Sequence, residues 1–194
     1  MKKYEFTGET KRVELWNRTA TLHRIKATVE FGFVKVGELG GWIEKEENLS
    51  HEGKAWVCGD AKVCGDAEVW GNANVCGDAK VCGDAKVCGN AEVWGNAKVC
   101  GNAKVWGNAK VCGDAEVFLA SHVLVMGSVG SRNDFTTFFR DKDNEITVKC
   151  GCFLGKIDKF LEKVTQTHGN NKYALVYRAA VEVAKLQIEL TERK

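Results

Sequence analysis

The sequence predicts a mainly β protein organised as a parallel β-helix, and three observations carry that expectation. From Val57 to Glu116 the chain consists of ten consecutive copies of Val-x-Gly-(Asp/Asn)-Ala-x with no insertion. Each copy places Ala and Val two residues apart on one face of a short strand, then adds Gly-Asp or Gly-Asn, residues that accept the positive φ of a sharp corner. Proline is absent from all 194 residues, as suits a backbone in which nearly every N–H enters a ladder. A chain that turns the same way every six residues closes only by stacking coil on coil, about 4.8 Å apart. The recurrent glycine excludes a helix over the same stretch.

The flanks extend this body and then leave it. Ala55, Leu49 and Ile43 keep the phase of the inward alanines, so irregular coils are expected from about Gly37 through Gly40-Gly41-Trp42. Residues 1–36 then read as an N-terminal cap, needed because a solenoid end exposes unpaired coil edge. Val117, Val123 and Val129 keep the valine phase, which extends the helix over residues 37–130. After Ser131 the period vanishes. Phe135 to Arg140 and Ile146 to Phe153 read as a hairpin around the polar segment 141–145. Phe160, Leu161 and Val164 suggest a short helix ending at His168-Gly169. Tyr173, Tyr177, Ala180 and Ala184 mark one face of a longer helix reaching about Leu190. Residues 131–194 are therefore expected to form a small ββαα module.

Composition narrows the function classes. Hydrophobic residues make up 44% and charged residues 28%, which speaks against disorder and membrane insertion. The start Met1-Lys2-Lys3-Tyr4-Glu5-Phe6 lacks the apolar stretch of a secretory signal, so a cytoplasmic location is expected. A formal net charge of +2 with no strongly basic segment argues against DNA as a partner. Nine cysteines are present, seven of them inside the repeat; an odd number in a cytoplasmic chain is expected to be reduced thiol.

The inward Val followed four positions later by inward Ala (Val57 with Ala61, Val63 with Ala67, and onward) resembles the left-handed parallel β-helix of hexapeptide-repeat proteins over residues 53–117. That resemblance implies a triangular coil of three hexads, hence about five coils in all, and a homotrimer. The whole chain also resembles a group of uncharacterised phage- and prophage-encoded hexapeptide-repeat proteins, through the segments 39–50, 129–134, 150–155 and His168-Gly169. This implies phage origin and a host cytoplasm, and no catalytic residue.

With eighteen residues per coil, three outward columns follow: Cys58, Cys76, Trp94, Cys112; Cys64, Cys82, Cys100, Phe118; and Trp70, Cys88, Trp106. Trp70, Trp94 and Trp106 are candidates for a subunit interface, with stacking on sugars or bases as the alternative. The cysteine columns read as small outward residues; soft-metal binding and disulfide crosslinks are the competing readings. The stacked Asp and Asn corners are explained by turn geometry without calcium. No metal or other cofactor is expected.

The module carries the candidate binding residues. Arg132, Asn133, Thr136 and Thr137, with Lys149 on a nearby strand and His168 at a helix end, supply a guanidinium, hydroxyls and further cationic groups suited to an anionic ligand. The alternative is that Arg132 and His168 satisfy backbone carbonyls where the module docks. The expected function is thus non-enzymatic: a β-helix shaft presenting a recognition module for a host protein or a small nucleotide-like ligand. The alternative is an acyltransferase-like enzyme acting at a subunit interface, for which His51 and His122 are the candidate bases.

Overall fold

A computed structural model describes residues 2–15 and 18–190. The chain begins with an antiparallel hairpin, β1 (Tyr4–Glu14) and β2 (Thr19–Ala27), followed by β3 (Leu39–Ile43). Among the described residues, eleven two-residue strands then recur every six positions, β4 to β14, from Trp56–Val57 to Glu116–Val117. After them come β15 (Val123–Val129), β16 (Asp134–Arg140), β17 (Ile146–Cys150) and β18 (Phe153–Lys156). Two helices close the described chain, α1 (Ile157–His168) and α2 (Lys172–Gln187).

The hexads form a parallel β-solenoid. Strands eighteen residues apart pair in parallel register, Lys62 with Lys80, Lys80 with Lys98 and Lys98 with Glu116, and the rungs sort into three stacks. Every repeat valine and alanine from Ala55 to Val117 is buried to 1% exposure or less, because the two-residue spacing puts both on the inner face. The backbone ladder runs between coils, as in Lys62 N–H to Ala79 O at 2.9 Å and Lys80 N–H to Ala97 O at 2.9 Å. The corner glycine is required twice over at Gly77: its φ is +72°, and a β-carbon there would lie 3.1 Å from the amide nitrogen of Gly95 on the next coil. Outside the corners, amides stack as Asn72 to Asn90 and Asn90 to Asn108, at 3.0 and 3.1 Å. Those side-chain bonds tie together the Asn72, Asn90 and Asn108 column.

The expected count of about five coils is corrected to about four turns. The shortfall lies at the C-terminal end, where Val123 and Val129 keep phase but no Gly corner follows Val117. Val123–Val129 instead pairs antiparallel with β16. The module is therefore a four-stranded antiparallel sheet, β15-β16-β17-β18, backed by two helices.

Both coil ends are covered. At the first, β3 is itself a rung, Trp42 pairing with Lys62, and β1–β2 continues its sheet antiparallel. Asn48, fully buried, satisfies both sides of this edge. Its amide donates to Gly65 O and Ala67 O at 3.0 and 2.8 Å, and its oxygen accepts from the N–H groups of Glu44 and Lys45 at 3.1 and 2.9 Å. Lys3, buried beside Phe31, donates to Ala55 O at 2.8 Å, and burial lowers its pKa to about 8. At the far end, strand alternation turns Phe139 into the solenoid core and Phe138 into the module core. Asp141 bridges to Ala115, and Lys142 N–H donates to Asp114 O at 3.0 Å.

Two further expectations change. The outward columns are not uniformly exposed: Cys64 lies under Ala20, Leu22 and Trp42 of the N-terminal cap, and Cys112 is also buried. The cysteines are not all thiols either. Cys58 and Cys76, on adjacent coils with α-carbons 4.7 Å apart, form a disulfide, because one coil step brings stacked side chains within bonding reach.

Candidate functional site

α1 presents Phe160, Lys163, Val164, Thr167 and His168 along one stripe, the i, i+3, i+4, i+7, i+8 pattern of a single helix face. That stripe meets β17, the turn after it and the β15–β16 turn, enclosing a cleft of about 560 Å³. Ser131, Arg132, Cys150, Cys152, Phe153 and Tyr177 complete its lining.

Two glycines set its walls. Gly151 has φ +56°, and a β-carbon on it would fall 1.9 Å from an Arg132 guanidinium nitrogen, so the guanidinium lies directly on the glycine backbone. Gly130 has φ +75° and admits the Tyr177 hydroxyl in the same way, at 1.9 Å from a would-be β-carbon. Tyr177 is held from three sides. It packs edge-on against Phe160 with centroids 5.5 Å apart and stacks on His168 at 5.9 Å. The Cys150 thiol donates toward its oxygen at 3.9 Å, and the Thr136 hydroxyl donates to Cys150 at 3.3 Å. Burial, with Cys150 alongside, pushes the Tyr177 phenol up, so it presents a neutral hydroxyl.

The cleft is electropositive by composition. Arg132 and Lys163 are both exposed and line it with half-buried His168 and the hydroxyls of Ser131, Thr167 and Tyr177; no carboxylate is in the described lining. Phe153, Phe160 and Tyr177 add apolar ring surface, the combination used to hold an anionic group and a flat ring together. Two other clefts are of similar size. One, of about 620 Å³, carries Arg18 and Lys80 against Asp66 and Asp84, so its charges cancel. The other, of about 500 Å³ around Trp106 and Phe135, has Lys104 as the one charged residue of its described lining.

Of the six ligand candidates read from the sequence, the fold brings two together in this cleft, Arg132 and His168. Asn133 sits in the adjacent turn with φ +52°, outside the lining. Thr136 and Thr137 are buried, and the Thr137 hydroxyl accepts the Lys110 N–H at 3.0 Å, tying the module to the last coils. Lys149 donates to Gly151 O at 2.7 Å and lies 6.0 Å from the Trp94 ring. Lys163, Thr167 and Tyr177 were not among the candidates; the helical spacing from His168 back to Lys163 and Phe160 could have found the first two, whereas Tyr177 comes from α2.

The other candidates are placed as follows. Trp106 is 69% exposed, whereas Trp70 and Trp94 are half-buried, with Lys86 over the Trp70 ring. His51 Nδ1 accepts the Lys3 N–H and His122 Nδ1 accepts the Phe118 N–H, both at 3.2 Å. Burial lowers both imidazole pKa values. Among the described residues, no group of three or more His, Cys, Asp or Glu side chains is arranged to hold a metal ion. No described helix is long and apolar enough to cross a membrane.

The fold thus defines a parallel β-solenoid carrying a C-terminal α+β module with a cationic cleft. No protein-family profile matches the chain, and the comparison with curated proteins finds no match.

Proposed function

We propose that this protein is a non-enzymatic binding protein whose solenoid is a rigid mount and whose C-terminal cleft takes a small anionic, nucleotide-like ligand. The observation that supports this most is the convergence of Arg132, Lys163 and His168 with three hydroxyls between aromatic walls. A volume of about 560 Å³ lies in the ordinary range for small-molecule sites. Arg132 and Lys163 would receive the phosphate, Arg132 through two parallel N–H donors, while Phe153, Phe160 and Tyr177 would face the ring.

The acyltransferase-like alternative has less support. Each candidate base, His51 and His122, already accepts a backbone amide at Nδ1 and serves a cap. The resemblance to phage-encoded hexapeptide-repeat proteins supports a phage origin, a left-handed coil and a cytoplasmic location as parts of the same proposal. Three-fold self-association belongs to it too, with Trp106 as the most exposed tryptophan among the described residues.

The test is a thermal-shift and calorimetric panel of inorganic phosphate, pyrophosphate, mononucleotides and cyclic dinucleotides, run on the intact chain and on Arg132→Ala. A ligand that stabilises the first and not the second supports the reading. Absence of a shift with every ligand, or an equal shift in both proteins, overturns it.

A further inference from the structure

The second outward column, Cys64, Cys82 and Cys100, repeats the geometry of the rung that already carries a disulfide. Cys58 N–H donates to Val75 O at 2.9 Å across the coil step closed by Cys58–Cys76. Cys64 N–H donates to Val81 O, and Cys82 N–H to Val99 O, both at 3.0 Å. The register is the same, Val63 facing Val81 and Val81 facing Val99. Backbone spacing that places Cys76 within bonding reach of Cys58 therefore places Cys82 within reach of thiols on both sides. Cys64 and Cys100, two coil steps apart, reach each other only through Cys82.

Access and electrostatics differ along the column. Cys64 is sealed under Leu22 and Trp42. Cys82 and Cys100 line the open cleft of about 620 Å³, beside Arg18 and Lys80. The flanking thiols of Cys100 and Cys64 hydrogen-bond to the Cys82 sulfur, and Lys80 adds positive charge, so the first proton leaves the column most readily from Cys82. The same contacts raise the pKa of Cys64 and of Cys100. Elsewhere the stacked neighbours are not thiols: Cys88 lies between Trp70 and Trp106, and Cys112 follows Trp94.

We infer that Cys82 is an oxidant-reactive thiol that forms a second solenoid disulfide, with either Cys64 or Cys100, when the protein meets a peroxide. The Cys82 thiolate attacks one peroxide oxygen; an S–O bond forms, the O–O bond breaks, and the leaving hydroxide takes up the proton that Cys82 released and departs as water, giving a sulfenic acid. The thiol of Cys100 or Cys64 then attacks that sulfur. The S–S bond forms, the S–O bond breaks, and hydroxide leaves with the attacking thiol's proton as a second water. Two thiols are oxidised by two electrons and one peroxide is reduced. The remaining thiolate can attack Cys82 and move the bond one coil along, with no change in oxidation state.

The test is thiol counting and tryptic disulfide mapping of the whole protein before and after one equivalent of hydrogen peroxide. Lysines between the cysteines put Cys64, Cys82, Cys88 and Cys100 on separate peptides. Seven free thiols should fall by two, to five, with Cys82 crosslinked to Cys64 or Cys100 while Cys88 and Cys112 stay free. Cys64→Ser and Cys100→Ser should each still lose two thiols, through the other neighbour, and Cys82→Ser should lose none. If Cys82→Ser does not fold, Cys82→Ala is the substitute, with a circular-dichroism melt as the check on both. No thiol loss in the unmodified chain, unchanged loss in the Cys82 variant, or linkage through Cys88 or Cys112 overturns the inference.

Discussion

The Arg132 guanidinium rests on the bare backbone of Gly151, where a methyl group would come within 1.9 Å of a guanidinium nitrogen. The charged wall of the cleft is thus built from a pair, one residue supplying the cation and the other supplying room for it. Gly151→Ala should evict the guanidinium and weaken binding of any nucleotide that binds the intact chain about as much as Arg132→Ala does. The expected loss is on the order of 10-fold or more for each. Calorimetric titration of both variants checks it, and the double variant should lose little beyond either single one, because both remove the same contact.

Asp141 anchors the module beneath the last coil. Its carboxylate accepts the N–H groups of Asp143 and Glu145, at 3.0 and 3.2 Å, the Thr147 hydroxyl and the Lys156 ammonium. Burial pushes its pKa up, but the donors from Lys156, Thr147 and Glu145 outweigh that and leave it below the usual carboxylate value. A carboxylate depressed in the folded state contributes stability that is complete above its unfolded pKa of about 3.9 and is lost as pH falls through the lower folded value. The unfolding midpoint should hold near neutrality and drop steeply below about pH 4. Asp141→Asn should flatten that drop while costing about 2–3 kcal/mol at pH 7, as measured by urea titration at each pH.

Gly77 and Gly107 separate the two demands made on a corner. Both have positive φ, +72° and +68°, but a β-carbon on Gly77 meets the next coil at 3.1 Å, whereas one on Gly107 meets nothing within 4 Å. Gly107→Ala should cost about 1–2 kcal/mol for the left-handed conformation alone. Gly77→Ala carries the same cost plus a displaced coil, so it should unfold at lower urea than Gly107→Ala.

Asn48 is a single side chain completing four backbone bonds at a covered coil edge. Asn48→Ala leaves two carbonyls and two N–H groups without it, and about 2–4 kcal/mol of stability should go with them. Hydrogen exchange should report the loss first at Lys45, whose amide bonds to the Asn48 oxygen, whereas the Glu44 N–H keeps its bond to Val63 O at 3.0 Å.

The solenoid was legible because one short pattern repeats without interruption, and each residue in it has one physical job. The C-terminal end was misread for a related reason. Val117, Val123 and Val129 continue the phase, but phase without a corner glycine does not turn the chain, and Val123–Val129 runs straight into the module sheet. Thr136 and Thr137 looked available because a hairpin strand usually has a wet face. Here β16 lies between solenoid and module, so both of its faces are covered. Arg132 and His168 were legible as residue types, but their meeting depends on how α1 packs on the sheet, which no spacing within residues 131–168 encodes. The disulfide depends on coil stacking in the same way, since nothing in Cys58 or Cys76 alone distinguishes it from Cys88.

The eighteen-residue repeat also constrains how such a shaft can change length. Removing or duplicating three hexads returns the chain to the same side of the triangle, so both end structures keep their relative orientation and every remaining hexad stays in its own column. Removing or duplicating one hexad swings the C-terminal module round by a third of a revolution and reshuffles which cysteines face each other. Viable length variants should therefore come in whole turns, and the cleft would shift along the shaft without changing the side on which it opens.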